Sequence, residues 1–76
     1  MVHAELVGTV LREYRKQKRM SQELVSGLAG LDRTHYSKIE RGLRSPNLDT
    51  LFRIAYAIGV PPDVIVKTID ERLHNE

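Results

Sequence analysis

Apolar residues recur at intervals of three and four along almost the whole chain, the spacing that places side chains on one face of an α-helix. The pattern separates into five groups, so we predict five amphipathic helices. The apolar positions that define them are, in chain order, Val7, Val10, Leu11 and Tyr14; Leu24, Val25, Leu28 and Ala29; Tyr36 and Ile39; Leu48, Leu51, Ile54, Ala55 and Ile58; and Val64, Ile65, Ile69 and Leu73. No segment alternates as a strand would for more than a few residues, which predicts an all-α fold.

Residues that favour helix ends mark the predicted boundaries. The first helix is expected to cover roughly Glu5 to Lys18. The later helices have start signals, with side-chain caps or a proline at the first helical position; these are Ser21, Asp32, Asn47 and Pro62. Three glycines provide stop signals; these are Gly30, Gly42 and Gly59. A chain of 76 residues is enough for one domain with a limited core, so we predict a single compact domain over residues 1–76.

The stretch from Ser21 to Gly42, SQELVSGLAGLDRTHYSKIERG, predicts two short helices joined by a tight turn. The second helix carries basic and polar side chains on the face that would point outward. A helix-turn-helix of this kind is one way in which a small protein places side chains in the major groove of DNA.

Charge is distributed unevenly along the chain. Residues 12–44 hold nine basic and four acidic residues, a net charge of +5, whereas residues 45–76 hold three basic and five acidic residues, a net charge of −2. The first segment is therefore expected to form a basic surface of the kind that contacts nucleic acid. A solvated charged face, which is common on small helical proteins, is the alternative, and charge alone favours neither.

Other classes of function find little support in the residues. The absence of cysteine excludes disulfides and thiolate metal ligands. The three histidines, His3, His35 and His74, lie far apart, and none has a neighbour at metal-ligand spacing. No apolar run approaches the length of a membrane span, and no signal segment opens the chain. We therefore expect a non-enzymatic, soluble, cytoplasmic protein with no metal, no cofactor and no membrane partner.

Two runs of sequence, MSQELVSGLAGLDRTHYSKIERG and RSPNLDTLFRIAYAIGV, resemble the lambda-repressor/Cro-like helix-turn-helix family, often called XRE. The resemblance extends from about Val10 to Val60. It rests on the joint order of Ser21-Gln22, Gly30-Leu31, the segment IERG at 39–42, Pro46 and the segment AIGV at 57–60. It implies a five-helix lambda-repressor-like domain whose helix-turn-helix spans residues 21–42 and whose third helix is the recognition helix. The small size and the lack of a sensor domain also resemble the controller proteins of restriction–modification systems.

The resemblance implies a role for each polar residue of the helix-turn-helix. The residues expected to contact base edges are Arg33, Thr34, Ser37 and Lys38. The residues expected to contact phosphates are Gln22, His35, Arg41 and Arg44. Arginine and lysine donate hydrogen bonds to guanine, and threonine contacts the thymine methyl group or a base edge. For Arg33, Thr34 and His35 the alternative is simple exposure to solvent. For Lys38 it is exposure to solvent or a nonspecific phosphate contact.

Several positions match or depart from the family pattern in ways that predict structure. Arg15 and Glu40 match a family ion pair that ties the first helix to the recognition helix, the alternative being two unrelated surface charges. Tyr36 stands where the family usually has an aliphatic residue, and we predict that it lies in the core with its hydroxyl near the rim, where it needs a partner. Arg19 replaces a common glycine, which predicts a different or mildly strained turn. Pro61 replaces a capping serine or threonine, so the fifth helix is expected to lack a side-chain cap.

These observations predict a double-stranded-DNA-binding transcriptional regulator, a repressor or autoregulator that reads a palindromic operator through the major groove as a homodimer. One small domain reads few base pairs, which favours a dimer. The predicted interface is the apolar surface of the fifth helix, with help from the end of the fourth; its residues are Val64, Ile65, Val66, Ile69 and Leu73. The alternative is that these residues only cover the chain's own core. A second class of function is an antitoxin-type module that binds a toxin, with DNA binding secondary.

Overall fold

Five α-helices form the computed structural model, which describes residues 2–75. In chain order their bounds are α1 Ala4–Gln17, α2 Gln22–Ala29, α3 Arg33–Glu40, α4 Leu48–Ile58 and α5 Pro62–His74. No strand occurs within residues 2–75. The predicted all-α class is therefore confirmed. The predicted domain of residues 1–76 also includes Met1 and Glu76, which lie outside the described residues.

Side-chain caps begin three of the helices at the residues that the sequence indicated. Ser21 Oγ accepts from the amide of Leu24 at 3.0 Å, and Asn47 Oδ1 accepts from the amide of Thr50 at 2.8 Å. Asp32 Oδ2 accepts from two amides at the start of α3, at 3.0 and 3.3 Å. Each cap satisfies backbone donors that have no partner within the helix. These starts depend only on residues a few positions apart.

Two departures from the family pattern have the predicted structural effect. Arg19, in the turn between α1 and α2, has a φ of 57°, a left-handed conformation that is strained for a residue with a side chain. Pro61 precedes α5 and supplies no side-chain cap, and α5 begins at Pro62. The fixed φ of proline suits this first helical position, where the missing N–H costs no hydrogen bond.

All five helices contribute buried side chains to one core. α4 packs against α2, α1 packs against α3, and α5 packs against both α1 and α4. The largest of the fully buried side chains there are Tyr36, Leu11, Ile39, Ile54, Ile65, Val10 and Val25. α1 approaches the end of α3 so closely that a Cβ atom at Gly8 would overlap the carbonyl oxygens of Ile39 and Glu40. The helix-turn-helix is thus held by α1 on one side and by α4 on the other.

Three apolar residues that the pattern assigned to inner faces are exposed. Leu24 and Leu28 are 49% and 62% exposed, whereas their neighbours Val25 and Ala29 are buried. Leu48, at the start of α4, is 68% exposed. Adjacent residues lie 100° apart around a helix, so two neighbouring apolar stripes compete for one inner face. On α2 the stripe of smaller residues faces α4, which allows the two helices to pack closely.

Two residues of the predicted dimer surface on α5 belong to the core of the single chain. Ile65 is fully buried and Ile69 is 7% exposed, and both belong to the core cluster of the single chain. Leu73 is half-buried and packs against that cluster. The physical reason is that α5 packs on α1 and α4, and this contact uses the stripe that contains Ile65 and Ile69. Val64 and Val66, on the other sides of the helix, are 38% and 46% exposed.

Candidate nucleic-acid interface

A tight turn joins α2 to α3 and sets the angle at which α3 is presented. Gly30 ends α2 with a φ of 69°, in the left-handed region that glycine adopts without steric cost. The amide of Leu31 donates to the carbonyl of Ser26 at 2.8 Å across this turn. Ser26 itself is 3% exposed, and its hydroxyl donates to the carbonyl of Glu23 at 3.1 Å. The small side chain lets the two helices approach, and its polar atom keeps a partner.

The side chains of α3 divide into a buried and an outward-facing set. Tyr36 and Ile39 are fully buried and anchor the helix to the core. Arg33, Thr34 and His35 are exposed, and Ser37 and Lys38 are half-buried. The helix therefore presents its first turn and its outer face to solvent, which is how a recognition helix meets base edges.

A shallow cleft lies between the start of α2 and the outer face of α3. Its volume is about 300 Å³, and its lining consists of Gln22, Arg33, Thr34, Ser37 and Arg41. Two guanidinium groups, an amide and two hydroxyls supply hydrogen-bond donors, and no carboxylate belongs to the lining. Such a surface favours an anionic, acceptor-rich ligand such as a nucleic-acid strand.

The cleft brings together five of the eight residues that the sequence assigned to DNA, and three lie outside its lining. His35 is exposed on α3, one residue beyond Thr34. Lys38 is half-buried near the end of the same helix, and Arg44 is exposed in the loop before α4. These three positions flank the cleft in sequence. None of the eight residues is fully enclosed by the core.

The carboxylate of Glu40, at the end of α3, binds side chains from three helices. Arg15 donates from Nε to Glu40 Oε2 at 2.7 Å and from Nη2 to Oε1 at 2.9 Å. Gln22 Nε2 donates to Oε1 at 2.9 Å, and the Tyr36 hydroxyl donates to Oε2. Arg15 also donates from Nη1 to the carbonyl of Met20 at 2.9 Å, next to the strained turn. Arg15 and Glu40 are therefore a buried pair, with side chains 10% and 2% exposed.

These contacts change the acidity of the groups that make them. Burial opposes ionisation of Glu40, but the hydrogen bonds from Arg15, Tyr36 and Gln22 outweigh it and hold the pKa of this carboxyl below its usual value. The hydrogen bond to Glu40 raises the pKa of Arg15. Burial, and then the bond to the Glu40 carboxylate, raise the pKa of Tyr36 far above its ordinary value. Glu40 is thus charged and Tyr36 neutral throughout the neutral pH range.

The structure corrects one expectation about Tyr36. It also shows that Tyr36 and Gln22 join the Arg15–Glu40 pair in one hydrogen-bonded cluster, the Glu40 cluster. The Tyr36 hydroxyl does not lie near the rim, because the whole residue is fully buried. Its partner, Glu40, is four residues further along the same helix, a spacing that brings side chains together and that signals the contact in the sequence. The bond from Gln22 to Glu40 joins two helices, and no local sequence signal indicates it.

Other features of the described residues concern membrane spans, metal sites and exposed apolar surface. Within residues 2–75 no helix is long and apolar enough to cross a membrane. Across the same range, no group of three or more histidine, aspartate or glutamate side chains is placed to hold a metal ion. A stripe of exposed apolar residues does follow α4; it comprises Leu48, Phe52 and Tyr56, and the rings of Phe52 and Tyr56 meet edge to face with centroids 6.2 Å apart.

The five-helix fold and the exposed polar face of α3 define a helix-turn-helix protein, and the sequence agrees. The Helix-turn-helix family matches residues 11–65, and the chain belongs to this family of DNA-binding transcription regulators. The XRE-type resemblance is thereby confirmed. The chain is 36% identical over 67 residues to the uncharacterized HTH-type transcriptional regulator y4dJ of Sinorhizobium fredii. These residues cover 88% of this chain and 87% of that protein.

Restriction–modification controller proteins are also similar to this chain. Control protein C.BamHI of Bacillus amyloliquefaciens is 43% identical over 58 residues, which cover 75% of this chain and 72% of that protein. The crystal structure of the controller protein C.AhdI from Aeromonas hydrophila matches with a TM-score of 0.80 at 34% identity, covering 86% and 98% of the two chains. Wild-type C.Esp1396I matches with a TM-score of 0.88 at 26% identity, covering 100% and 99%.

Proposed function

We propose that this chain binds double-stranded DNA sequence-specifically, with α3 in the major groove. The observation that carries the proposal is the donor-lined cleft between α2 and α3, which gathers Gln22, Arg33, Thr34, Ser37 and Arg41 on one exposed surface. A basic outer face alone would serve any polyanion. A helix that presents arginine, threonine and serine from its first two turns supplies the donors that distinguish base pairs in the major groove.

In this proposal, two groups of side chains make two kinds of contact with DNA. The side chains that contact base edges are Arg33, Thr34, Ser37 and Lys38. The side chains that contact phosphates are Gln22, His35, Arg41 and Arg44. Base contacts determine which sequence is bound, whereas phosphate contacts determine register and orientation on the duplex.

Selection of bound duplexes from a random pool tests the proposal. The variant Arg33→Ala tests whether Arg33 contacts bases rather than phosphates. The variant is expected to lose roughly 1–3 kcal/mol on the best selected duplex and to relax the preference at one base pair per half-site. Lys67→Ala, which removes an exposed positive charge from α5, is the control and should bind almost as the unmodified protein does. Equal losses by Arg33→Ala on selected and random duplexes would make Arg33 a phosphate contact. A pool without any enriched sequence would contradict sequence-specific binding.

We also propose that the protein acts as a homodimer on a palindromic operator, through a surface that keeps Val64 and the end of α4 from the predicted interface but not Ile65 and Ile69, which are buried. Tyr56 and Phe52 of α4 are 68% and 40% exposed. Beyond Tyr56, a shallow apolar depression of about 430 Å³ continues over Pro61 and Pro62 to the first turn of α5, where Val64 is exposed. This α4–α5 face lies in the segment with net negative charge, so a contact there leaves the basic helix-turn-helix free for DNA. Two copies would then read half-sites about one helical turn apart.

Sedimentation equilibrium at tens of micromolar, roughly where weak dimers form, tests this interface. Tyr56→Glu is expected to give a folded monomer that binds its operator more weakly. Val66→Glu changes an equally open position about 200° around α5 from Val64 and should leave the dimer intact. Ile65→Glu is expected to unfold the chain, because Ile65 is fully buried. A monomeric unmodified protein, or a Tyr56→Glu variant that still dimerises, would contradict the proposed face.

The regulatory role that we propose is repression or autoregulation at such an operator. Its support is the similarity to proteins named as control proteins of restriction–modification systems. A reporter gene behind the selected operator should fall in expression when the protein is supplied, and Arg33→Ala should restore it. The competing interpretation, an antitoxin-type module, predicts instead that a protein partner co-purifies from the native host and that DNA selection enriches no sequence.

A further inference from the structure

Tyr36 carries a polar atom that core packing does not require. Its ring is fully buried, as an aliphatic side chain at this position would be, yet its hydroxyl donates a hydrogen bond to Glu40 Oε2. Phenylalanine would fill the same space without placing a polar group in the core, where a hydroxyl is costly unless it is bonded. The hydroxyl therefore acts on Glu40, the group to which it donates.

The Glu40 carboxylate is fully occupied. Oε2 accepts from Arg15 Nε and from the Tyr36 hydroxyl, and Oε1 accepts from Arg15 Nη2 and from Gln22 Nε2. Two bonds on each oxygen use the whole acceptor capacity of the group. The carboxylate cannot rotate without loss of several bonds at once. Tyr36 on one oxygen thus helps to determine where the other oxygen meets Gln22.

Gln22 extends this network to the DNA-facing surface. It is the first residue of α2 and lines the cleft with Arg33, Thr34, Ser37 and Arg41. Its side-chain amide has two N–H donors and one carbonyl, and the bond to Glu40 uses one N–H. Because only the nitrogen can donate to a carboxylate, this bond also determines which end of the amide faces Glu40. The second N–H keeps its capacity to donate to a phosphate.

We propose that the Tyr36 hydroxyl is a positioning group for DNA binding, which orients the Glu40 carboxylate and thereby holds the Gln22 amide ready for a phosphate. The inference rests on the proposed function, since it assumes that the cleft receives a DNA strand. Tyr36 does not touch the DNA; it acts through Glu40 and Gln22. A side chain that is already ordered loses less conformational entropy on binding, and this favours the complex.

A double-mutant cycle on DNA affinity tests the proposal, with Tyr36→Phe, Gln22→Ala and the combined variant. Tyr36→Phe is expected to weaken binding roughly three- to tenfold, the range for ordering one side chain. The loss should be the same on the selected duplex and on a random duplex, because a phosphate contact is not sequence-specific. In the Gln22→Ala background Tyr36→Phe should have no further effect. In an Arg44→Ala background, the matched control, its full effect should persist.

An equal loss in the presence and absence of the Gln22 side chain would overturn the proposal, because Tyr36 would then act only through the fold. Unchanged affinity of Tyr36→Phe would overturn it as well. Tyr36→Leu, which lacks both ring and hydroxyl, must show the same dependence on Gln22. Urea unfolding of each variant establishes that binding is measured on folded protein.

A measurement without DNA separates this inference from the proposed function. Nitrogen-15 relaxation of the Gln22 side-chain amide is expected to show a rigid group in the unmodified protein and a mobile one in Tyr36→Phe. An amide that is equally rigid in both proteins would overturn the positioning role even if the protein binds DNA. If the unmodified protein binds no duplex, the proposed function fails, and the relaxation result still decides whether Tyr36 holds Gln22.

Discussion

Replacement of Arg15 by methionine tests the buried pair that ties α1 to α3. The variant keeps an unbranched apolar stem and loses the guanidinium, which makes two bonds to Glu40 and one to the carbonyl of Met20. The Glu40 side chain is only 2% exposed, so solvent cannot replace the lost donors. Tyr36 and Gln22 still donate to the carboxylate. The variant therefore leaves a buried charge with partial compensation.

The expected cost follows from these contacts. Removal of one partner from a buried ion pair costs roughly 3–5 kcal/mol. Because two donors remain on Glu40, we expect a value near the lower end, about 3 kcal/mol. Proteins have a free energy of unfolding of roughly 0.05–0.15 kcal/mol per residue, or about 4–11 kcal/mol for a chain of this length. The variant should stay folded in buffer and lose a large share of its stability.

Urea unfolding at pH 7, followed by circular dichroism, measures the effect in a double-mutant cycle of Arg15→Met and Glu40→Gln. We expect a coupling energy of at least about 1 kcal/mol between the two sites. The pair Glu13–Arg72 is the control, since it also joins α1 to another helix, at 2.5 Å, but with side chains 46% and 40% exposed. Exposed pairs contribute about 0–1 kcal/mol. A coupling at Arg15–Glu40 no larger than that of the control would refute the reasoning.

Further predictions concern acid stability, helix packing and capping. The lowered pKa of Glu40 stabilises the fold fully above the ordinary value of 4.5, and this contribution should disappear as pH falls through the folded-state pKa. Urea midpoints measured between pH 2.5 and 7 should therefore fall less on acidification in Glu40→Gln than in the unmodified protein. Parallel plots of midpoint against pH for the two proteins would contradict this. Gly8→Ala should destabilise the fold by roughly 1–3 kcal/mol, since the new Cβ would overlap the backbone of α3. Gly27→Ala, whose Cβ meets nothing within 4 Å, should stabilise the fold by roughly 0.5–1 kcal/mol. Thermal unfolding compares the two variants. Asp32→Ala removes the cap of α3 and should cost roughly 0.5–2 kcal/mol in urea unfolding, and an unchanged midpoint would show that the cap is dispensable.

Local interactions made the helices and their starts predictable from the sequence. The caps at Ser21, Asp32 and Asn47 bond amides two or three residues away, so neither tertiary contact nor burial enters the prediction. The strained turn at Arg19 was predicted from the family pattern instead, since a glycine, which adopts the left-handed conformation without strain, is common at this position. The composition of the candidate site was implied by the family resemblance, which assigned Gln22 and the polar residues after the Asp32 cap to DNA contacts.

Which apolar stripe of each helix faces inward was decided by the tertiary structure. On α2 the sequence allows either Leu24 and Leu28 or Val25 and Ala29, and the approach of α4 selects the second stripe. On α5 the packing against α1 and α4 buries Ile65, which removes it from the predicted dimer surface. Helical periodicity locates a face only to about one residue, whereas burial depends on the helix that covers it.

The Glu40 cluster shows the same division within the candidate site. The pairing of Arg15 with Glu40 was implied by the family pattern, and the i, i+4 spacing of Tyr36 and Glu40 is visible along one helix. The bond from Gln22 to Glu40 depends on the packing of α2 against α3, which brings the carboxylate to the start of α2. Sequence by itself therefore determined which polar side chains α3 carries. Tertiary packing decided which of them are held in place, because that depends on contacts between residues distant in the chain.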